Sequence, residues 1–143
     1  MAVLRRDKYS QHSKKQGALF TDFLNSLEPN PNTKDLYRNM DLFSIEQSLK
    51  NLIFTNRGER MFQPDVGCDI KKQLFENYTP ETAEMMKTYI ETTIKNYEPR
   101  VKYIDSDIEP YEDQNGVSIT IYFSTIIRPG QTETITVLLT RVR

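Results

Sequence analysis

The sequence predicts an α+β fold in which N-terminal helices pack on a small antiparallel C-terminal sheet. Three observations predict it. Before Arg100, apolar residues recur at a helical period in two long segments. After Arg100 they alternate at a period of two, which is typical of strands with one buried face. The turn signals Asn115-Gly116 and Arg128-Pro129-Gly130 divide this second part into the strands of a meander.

The size and composition predict one domain with one core. The chain has 143 residues, 37% of them hydrophobic, with 19 basic and 20 acidic residues. This balance argues against nucleic acid as a partner, because such binding needs a concentrated basic face. We also expect no membrane partner, since no stretch approaches the roughly 18 apolar residues of a membrane span. A single cysteine, Cys68, makes no internal disulfide, so we expect a soluble protein of a reducing cytosol.

The first 40 residues are predicted to form an N-terminal extension, made of an extended arm and a loop. Residues 1–17 are basic and have little to bury, which is typical of a solvated arm, or of one that orders on an acidic partner surface. Pro29 and Pro31 then indicate a loop, because proline lacks the N–H group needed for regular pairing. A single domain is predicted for residues 41–143.

Two long helices are predicted before Arg100. Ser44 is the predicted N-cap of the first, and Gly58 is expected to close it in a left-handed conformation. Thr79 and Pro80 begin the second, with a capping hydroxyl followed by proline in the first turn. Each helix has a predicted buried stripe at helical spacing. The stripes are Ile45, Leu49, Leu52 and Ile53, and then Ala83, Met86, Ile90, Ile94 and Tyr97.

Strands are expected from Lys102 onward. The first is predicted to be interrupted by an acidic run that begins at Asp105 and ends in the Asn115-Gly116 turn. The last, from about Thr132 to Arg143, places Ile135, Val137 and Leu139 on one face. An apolar strand at a chain end aggregates unless something pairs with it. It is therefore an interior strand of the meander or a strand that accepts a partner's strand, and both hold at once if only one edge is used.

The residue types argue against an enzyme, and we predict no cofactor and no metal. His12, the only histidine, lies in the basic arm, and Cys68 has no basic neighbour to activate it. One enzymatic alternative needs only two carboxylates: a glycosidase, for which Glu59 and Glu98 are the candidate pair. Each adjoins an arginine, however, and a neighbouring cation lowers a carboxyl pKa where a general acid needs it raised.

The joint between the second helix and the first strand is Glu98-Pro99-Arg100. Proline fixes its own φ and excludes the preceding residue from the α region, so the helix must end there with its two flanking charges at a set angle. The Arg100 guanidinium is then able to fork onto an acceptor of another chain. The alternative is an internal pair with Glu98 that ties helix to strand.

Four motifs in order resemble a known family: an Arg-Gly loop, a Phe-x-Pro-x-x-Gly turn, Leu-Phe-Glu and Glu-Pro-Arg. They lie in "TNRGERMFQPDVGCDIKKQLFEN" and "NYEPR". From about Ser44 to Arg141 the chain resembles the baseplate wedge proteins of contractile phage tails. In particular it resembles the sheath initiators of the T-even gene-twenty-five-like family, which have a counterpart in type VI secretion baseplates.

The resemblance implies a structural virion protein, assembled in the host cytoplasm in multiple copies within a ring-shaped baseplate. Its implied partners are other wedge proteins and the tail sheath protein. The implied docking loop is Glu98, Pro99 and Arg100, and the supporting loop is Arg57, Gly58, Arg60, Phe62, Pro64 and Gly67. The last strand is implied to template the first sheath ring.

Two other functions stay open beside this one. The first is the peptidoglycan-cleaving glycosidase, a lysozyme-like activity that no residue pattern here supports. The second is a small adaptor that has kept the fold outside any phage tail, as type VI counterparts suggest.

Overall fold

The computed structural model describes residues 18–74, 78–111 and 116–140. The described residues up to Gln47 belong to one compact unit and those from Ser48 onward to a second. The helices are α1 (Leu42–Phe54), α2 (Ile70–Gln73) and α3 (Pro80–Tyr97). The strands are β1 (Thr21–Phe23), β2 (Arg38–Met40), β3 (Val101–Tyr111), β4 (Gly116–Thr125) and β5 (Glu133–Thr140). None of these helices has the length and apolar character needed to cross a membrane.

The first unit contains a short sheet that the sequence did not predict. β1 pairs antiparallel with β2, in a segment that we expected to be an arm and a loop. The Gln47 side chain supports it, donating to the Phe23 carbonyl at 2.7 Å and accepting from the Asn39 amide at 2.6 Å. Three-residue strands carry no periodic signal, so the pairing was not visible in the sequence. The predicted arm, residues 1–17, lies outside the described residues.

The prediction that Ser44 caps α1 is wrong. The helix begins at Leu42, and Ser44 lies buried in its first turn. The Asp41 carbonyl accepts the first helical bond, from the Ile45 N–H at 3.2 Å. The Asp41 carboxylate instead accepts from the backbone N–H groups of Leu19 and Phe20, at 2.8 and 3.3 Å. The residue that precedes the helix is thus held by a long-range contact and not by a local capping bond.

The predicted start of α3 is confirmed. The Thr79 hydroxyl accepts from the Thr82 N–H at 3.2 Å, and Pro80 occupies the first turn, where its missing N–H costs nothing. Met86, Ile90 and Ile94 are buried along one face, as the stripe predicted. Its two ends, Ala83 and Tyr97, are only half-buried.

The second unit carries an antiparallel sheet in the order β3-β4-β5, and the predicted α+β fold is confirmed. Its inner face carries most of the buried apolar side chains of the strands. They are Val101, Ile108, Val117, Ile119, Ile121, Phe123, Ile135, Val137 and Leu139. Helix α3 packs against β3, so the core lies between this helix and the sheet.

The prediction that the acidic run interrupts β3 is wrong. The strand continues to Tyr111, with a register shift between Tyr103 and Asp105. This bulge changes which residues point inward, so the acidic side chains lie outside while Ser106 and Ile108 are buried. A single uninterrupted alternation could not be recognised because the bulge breaks it. Residues 112–115, with the predicted Asn115 turn, lie outside the described residues.

Gly67 lies where the backbone leaves no room for a side chain. Its φ is +143°, and an added Cβ would lie 2.6 Å from the Thr55 carbonyl oxygen. The neighbouring bond from the Cys68 N–H to the same carbonyl, at 2.7 Å, holds the two segments together. Gly67 thus allows the loop after α1 to fold back onto the end of that helix.

We expect Gly67→Ala to lower the free energy of unfolding by about 2–4 kcal/mol, because strain and a backbone clash add. Gly58→Ala is the matched control: its φ is +87°, but no atom lies within 4 Å of the added Cβ. It should cost only about 1 kcal/mol for the left-handed conformation. Urea unfolding measures both, and equal losses would contradict the close approach at Gly67.

Candidate interaction site

The corner between α3 and β3 is held by a buried carboxylate. The Arg100 guanidinium donates to Glu98 through two nitrogens, Nε to Oε1 at 2.6 Å and Nη2 to Oε2 at 2.7 Å. The Ser48 hydroxyl, on α1, donates to Oε2 at 2.6 Å. A two-pronged guanidinium bond fixes direction as well as distance. Glu98 therefore joins α1, the end of α3 and the start of β3.

These bonds change the acidity of Glu98. Burial of the carboxyl group acts to raise its pKa, but the hydrogen bonds from Arg100 and Ser48 outweigh it and the net pKa is lowered. The group is therefore a carboxylate at neutral pH, although only 3% of its side chain is exposed. Removing one partner of such a pair leaves an uncompensated buried charge.

The internal pair of Glu98 and Arg100, which the sequence left open as an alternative, is present. The Glu98 carboxylate faces inward and is not itself a surface group, because both of its oxygens are bonded inside the fold. Pro99 is exposed, and about a quarter of the Arg100 side chain is accessible. The Arg100 carbonyl also accepts from the Ile126 N–H at 3.2 Å. What the corner presents outward is Pro99 and part of Arg100.

The predicted supporting loop, between α1 and α2, is closed by its own bonds. The Gly58 N–H donates to the Pro64 carbonyl at 2.8 Å, across the loop. The Tyr97 hydroxyl donates to the Asp65 carbonyl at 2.7 Å, which ties the loop to the last residue of α3. Arg57 lies 3.8 Å from the Asp69 carboxylate. The loop is therefore fixed beside the corner.

The tip of this loop is apolar and almost fully accessible. Met61 is 91% exposed and Phe62 is 97% exposed, and Arg60 and Pro64 are exposed beside them. Methionine and phenylalanine normally pack inside a protein, so two such side chains exposed next to each other on a hydrogen-bonded loop are unusual. Paired exposure of this kind is typical of a contact surface.

Neither carboxyl group proposed for a glycosidase has the raised pKa that acid catalysis needs. Hydrogen bonds from the Asn56 backbone N–H and side-chain amide lower the pKa of Glu59. The net pKa of Glu98 is lowered as well. A general acid in this reaction needs a raised pKa. In the described parts of the chain, no group of three potential metal ligands is positioned to hold an ion.

The last predicted strand is β5, and residues 141–143 lie outside the described residues. The side chains of Ile135, Val137 and Leu139 are 4%, 3% and 3% exposed, so they belong to the core of this chain and are not surface groups. The strand pairs with β4 on one side, and no described strand pairs with its other side. In an antiparallel strand, alternate residues direct their backbone groups to opposite sides. The outward contribution of β5 is thus its unpaired backbone.

Sequence reasoning missed three residues of this region. Ser48 gives no local signal, because it meets Glu98 only after the chain has folded. Met61 was visible as an apolar neighbour of Phe62 in a polar loop, and that signal could have been used. Tyr97 was assigned to the core stripe of α3, whereas its hydroxyl braces the loop at Asp65.

Comparison with known proteins decides the family. The sequence profile of the family "Baseplate wedge protein gp25" matches residues 41–129. The chain belongs to the gp25 family. It is 41% identical over 102 residues to baseplate wedge protein gp25 of Enterobacteria phage T4, covering 71% of this chain and 77% of that protein.

Solved structures share the fold of this gp25-family chain. A chain of the anti-feeding prophage baseplate is 21% identical, with a TM-score of 0.61, over 85% of each chain. A protein from Geobacter sulfurreducens, named as a candidate tail lysozyme, is also 21% identical with a TM-score of 0.61, over 69% of this chain and 89% of its own. A chain of the type VI secretion baseplate complex is 18% identical, with a TM-score of 0.54, over 68% and 93%.

We expect Glu98→Gln to lower the free energy of unfolding at neutral pH by about 1.5–3 kcal/mol, because the charge-assisted bonds to Arg100 are lost. The folded pKa lies below the ordinary value of 4.5. The contribution of Glu98 is therefore complete above that value and disappears as pH falls through the folded pKa. Urea unfolding between neutral and acid pH should show a smaller difference between variant and wild type at the acid end.

Glu84→Gln, on the exposed face of α3, is the matched control and should change stability by less than about 0.5 kcal/mol. A Glu98→Gln protein as stable as wild type at neutral pH would contradict the internal role of this carboxylate.

Proposed function

We propose that this chain is a non-enzymatic wedge subunit of a contractile phage tail baseplate, located in the virion, which docks on neighbouring wedge proteins and initiates the sheath. The observation that carries the proposal is a pair of neighbouring surfaces held by internal hydrogen bonds: the Glu98-Pro99-Arg100 corner and the supporting loop. It combines with membership of a family named for a baseplate wedge protein. We further propose an N-terminal extension of residues 1–40 and a wedge domain of residues 41–143.

Docking on the wedge is assigned to two neighbouring surfaces. The corner presents Pro99 and part of Arg100 at an angle fixed from inside by Glu98. The supporting loop presents Met61 and Phe62 on a frame that Tyr97 ties to the end of α3. Internal hydrogen bonds brace the backbone of both surfaces before binding, which limits the backbone conformational entropy lost on docking. Aromatic residues, methionine and arginine are enriched at protein–protein interfaces.

Sheath initiation is assigned to the unpaired side of β5. Strand addition uses backbone hydrogen bonds, which explains how β5 can serve a partner although its apolar side chains are already buried. Its outer face carries Thr134, Thr136 and Leu138, small or apolar groups that leave an incoming strand unobstructed. The same strand is thus both part of the internal core and a template for the next chain.

The partners we propose are the other baseplate wedge proteins and the tail sheath protein, with several copies of this chain in a ring. Related solved chains come from a baseplate described as six-fold symmetrised and from a type VI secretion baseplate complex. Assembly is proposed to take place in the host cytoplasm. The glycosidase alternative is disfavoured because both candidate carboxyl groups have lowered pKa values.

We expect Phe62→Ser to fold with a free energy of unfolding within about 0.5 kcal/mol of wild type, because the side chain is exposed. Its binding to purified wedge proteins should weaken at least about tenfold, as for an interface anchor. Met85→Ser, an exposed apolar residue on α3, is the control and should bind like wild type. Calorimetric titration measures both, and wild-type affinity for Phe62→Ser would exclude the loop tip from docking.

Lysine at Thr134, Thr136 and Leu138 together should abolish sheath growth on assembled baseplates, because charge on an edge strand prevents strand addition. The matched control places lysine at Ser118, Thr120 and Ser124, on the same face of β4, whose two sides are already paired. Electron microscopy counts the baseplates that carry sheath. Normal growth on the β5 variant, or equal loss in the control, would remove β5 as the template.

A further inference from the structure

The two outer strands of the C-terminal sheet differ in charge. β4 pairs with both neighbours, so β3 and β5 are the outer strands. On β5, no residue from Thr134 to Thr140 is charged, and Glu133 at its start is paired with Arg128 at 3.3 Å. β3 carries Asp105, Asp107 and Glu109 within five positions. One outer strand is neutral and the other is strongly acidic.

The three carboxylates of β3 form a row on the outer face of the sheet, here called the acidic row (Asp105, Asp107 and Glu109). All three are exposed, while Ser106 and Ile108 between them are buried. Tyr122 donates to the Asp107 carboxylate at 3.0 Å, and the Ser106 N–H donates to Asp105 at 2.7 Å. Two of its three carboxylates are therefore held in position, and no described lysine or arginine forms an ion pair with the row.

Two backbone features act in the same direction as the acidic row. The bulge between Tyr103 and Asp105 breaks the regular spacing that an added strand would need. Pro110, near the end of β3, has no N–H to donate. A bulge, a proline and charged side chains are three of the means by which natural sheets protect an edge strand. β5 has none of them in the described register.

We propose that the acidic row blocks strand addition at β3, so that the sheet accepts a partner strand only at β5. This inference rests on the proposed role of β5 in sheath initiation, and it adds that a partner strand joins the sheet from one side only. If β3 of a second copy paired antiparallel with β3, Asp107 would face its own counterpart and Asp105 would face Glu109. Like charges directly opposite each other destabilise such pairs.

The row has a consequence for assembly. A copy with two open outer strands presents two complementary surfaces, and such contacts propagate into open chains instead of closing. Blocking β3 leaves β5 as the one described strand of the C-terminal sheet that is open to strand addition. Partner strands then add at β5 only, so the assembly extends from that side of the chain. Copies of the chain do not polymerise with one another before they meet a partner.

The test is the triple variant Asp105→Asn, Asp107→Asn and Glu109→Gln in the full chain. These amides keep the size and the acceptor oxygens of the row, so the bonds from Tyr122 and Ser106 are preserved. The matched control, Glu28→Gln with Asp65→Asn and Glu91→Gln, removes the same charge from exposed or partly exposed positions outside the sheet. Analytical ultracentrifugation over a wide concentration range measures self-association, and circular dichroism checks folding.

We expect the row variant to self-associate about tenfold more tightly than wild type, as three relieved like-charge pairs imply, and the control to match wild type. The same mass distribution for row variant, control and wild type would overturn the proposal. Because no sheath or wedge protein is present, this result is independent of whether β5 docks the sheath. Failure of β5 docking would appear only in the sheath-growth assay.

A second measurement needs no variant and decides the matter if the row variant does not fold. At about 1 M salt the screening length falls to about 3 Å, so repulsion between rows is suppressed. We expect wild type to self-associate more tightly in high salt than in low salt. A wild-type mass distribution that is independent of salt would overturn the proposal.

Discussion

The arrangement of the C-terminal unit depends on one buried carboxylate. Glu98 ends α3, accepts from Ser48 on α1 and is held by Arg100 at the start of β3. Pro99 lies between the two charged residues and keeps the chain from continuing as a helix. A buried charge is stable only while its bonds are made, so any rotation of α3 relative to β3 would leave it uncompensated. The pair therefore selects one angle between helix and sheet, which apolar packing alone would leave less defined.

This constraint also supports the two surfaces that we propose for docking. The loop tip at Met61 and Phe62 is held by Tyr97, one residue before Glu98, so the loop and the corner share one support. The sheet that begins at Val101 ends in β5, whose core-facing side chains are buried while its outer backbone is unpaired among described strands. Several modest contacts on one rigid support strengthen each other, because the first to form raises the effective concentration of the rest.

Signals from neighbouring residues predicted some of these structural elements. Others depend on contacts between residues that are far apart in the sequence. Thr79-Pro80 could be recognised because capping depends on neighbouring residues only. The start of α1 could not, since Asp41 contributes through a bond from Leu19 that lies far away in sequence. Glu98-Pro99-Arg100 was identified as a corner, but its inward direction depends on Ser48, fifty positions earlier. The course of β3 was misjudged because a bulge shifted the alternation that would have revealed it.

The most direct test is a cryo-electron microscopy reconstruction of the assembled tail with this chain in place. We expect Pro99 and Phe62 to be covered by neighbouring wedge chains, and the sheet to continue past β5 into a strand of the sheath, with β3 left uncovered by any strand. A reconstruction in which the corner and loop tip face solvent, or in which the added strand lies on β3, would contradict this.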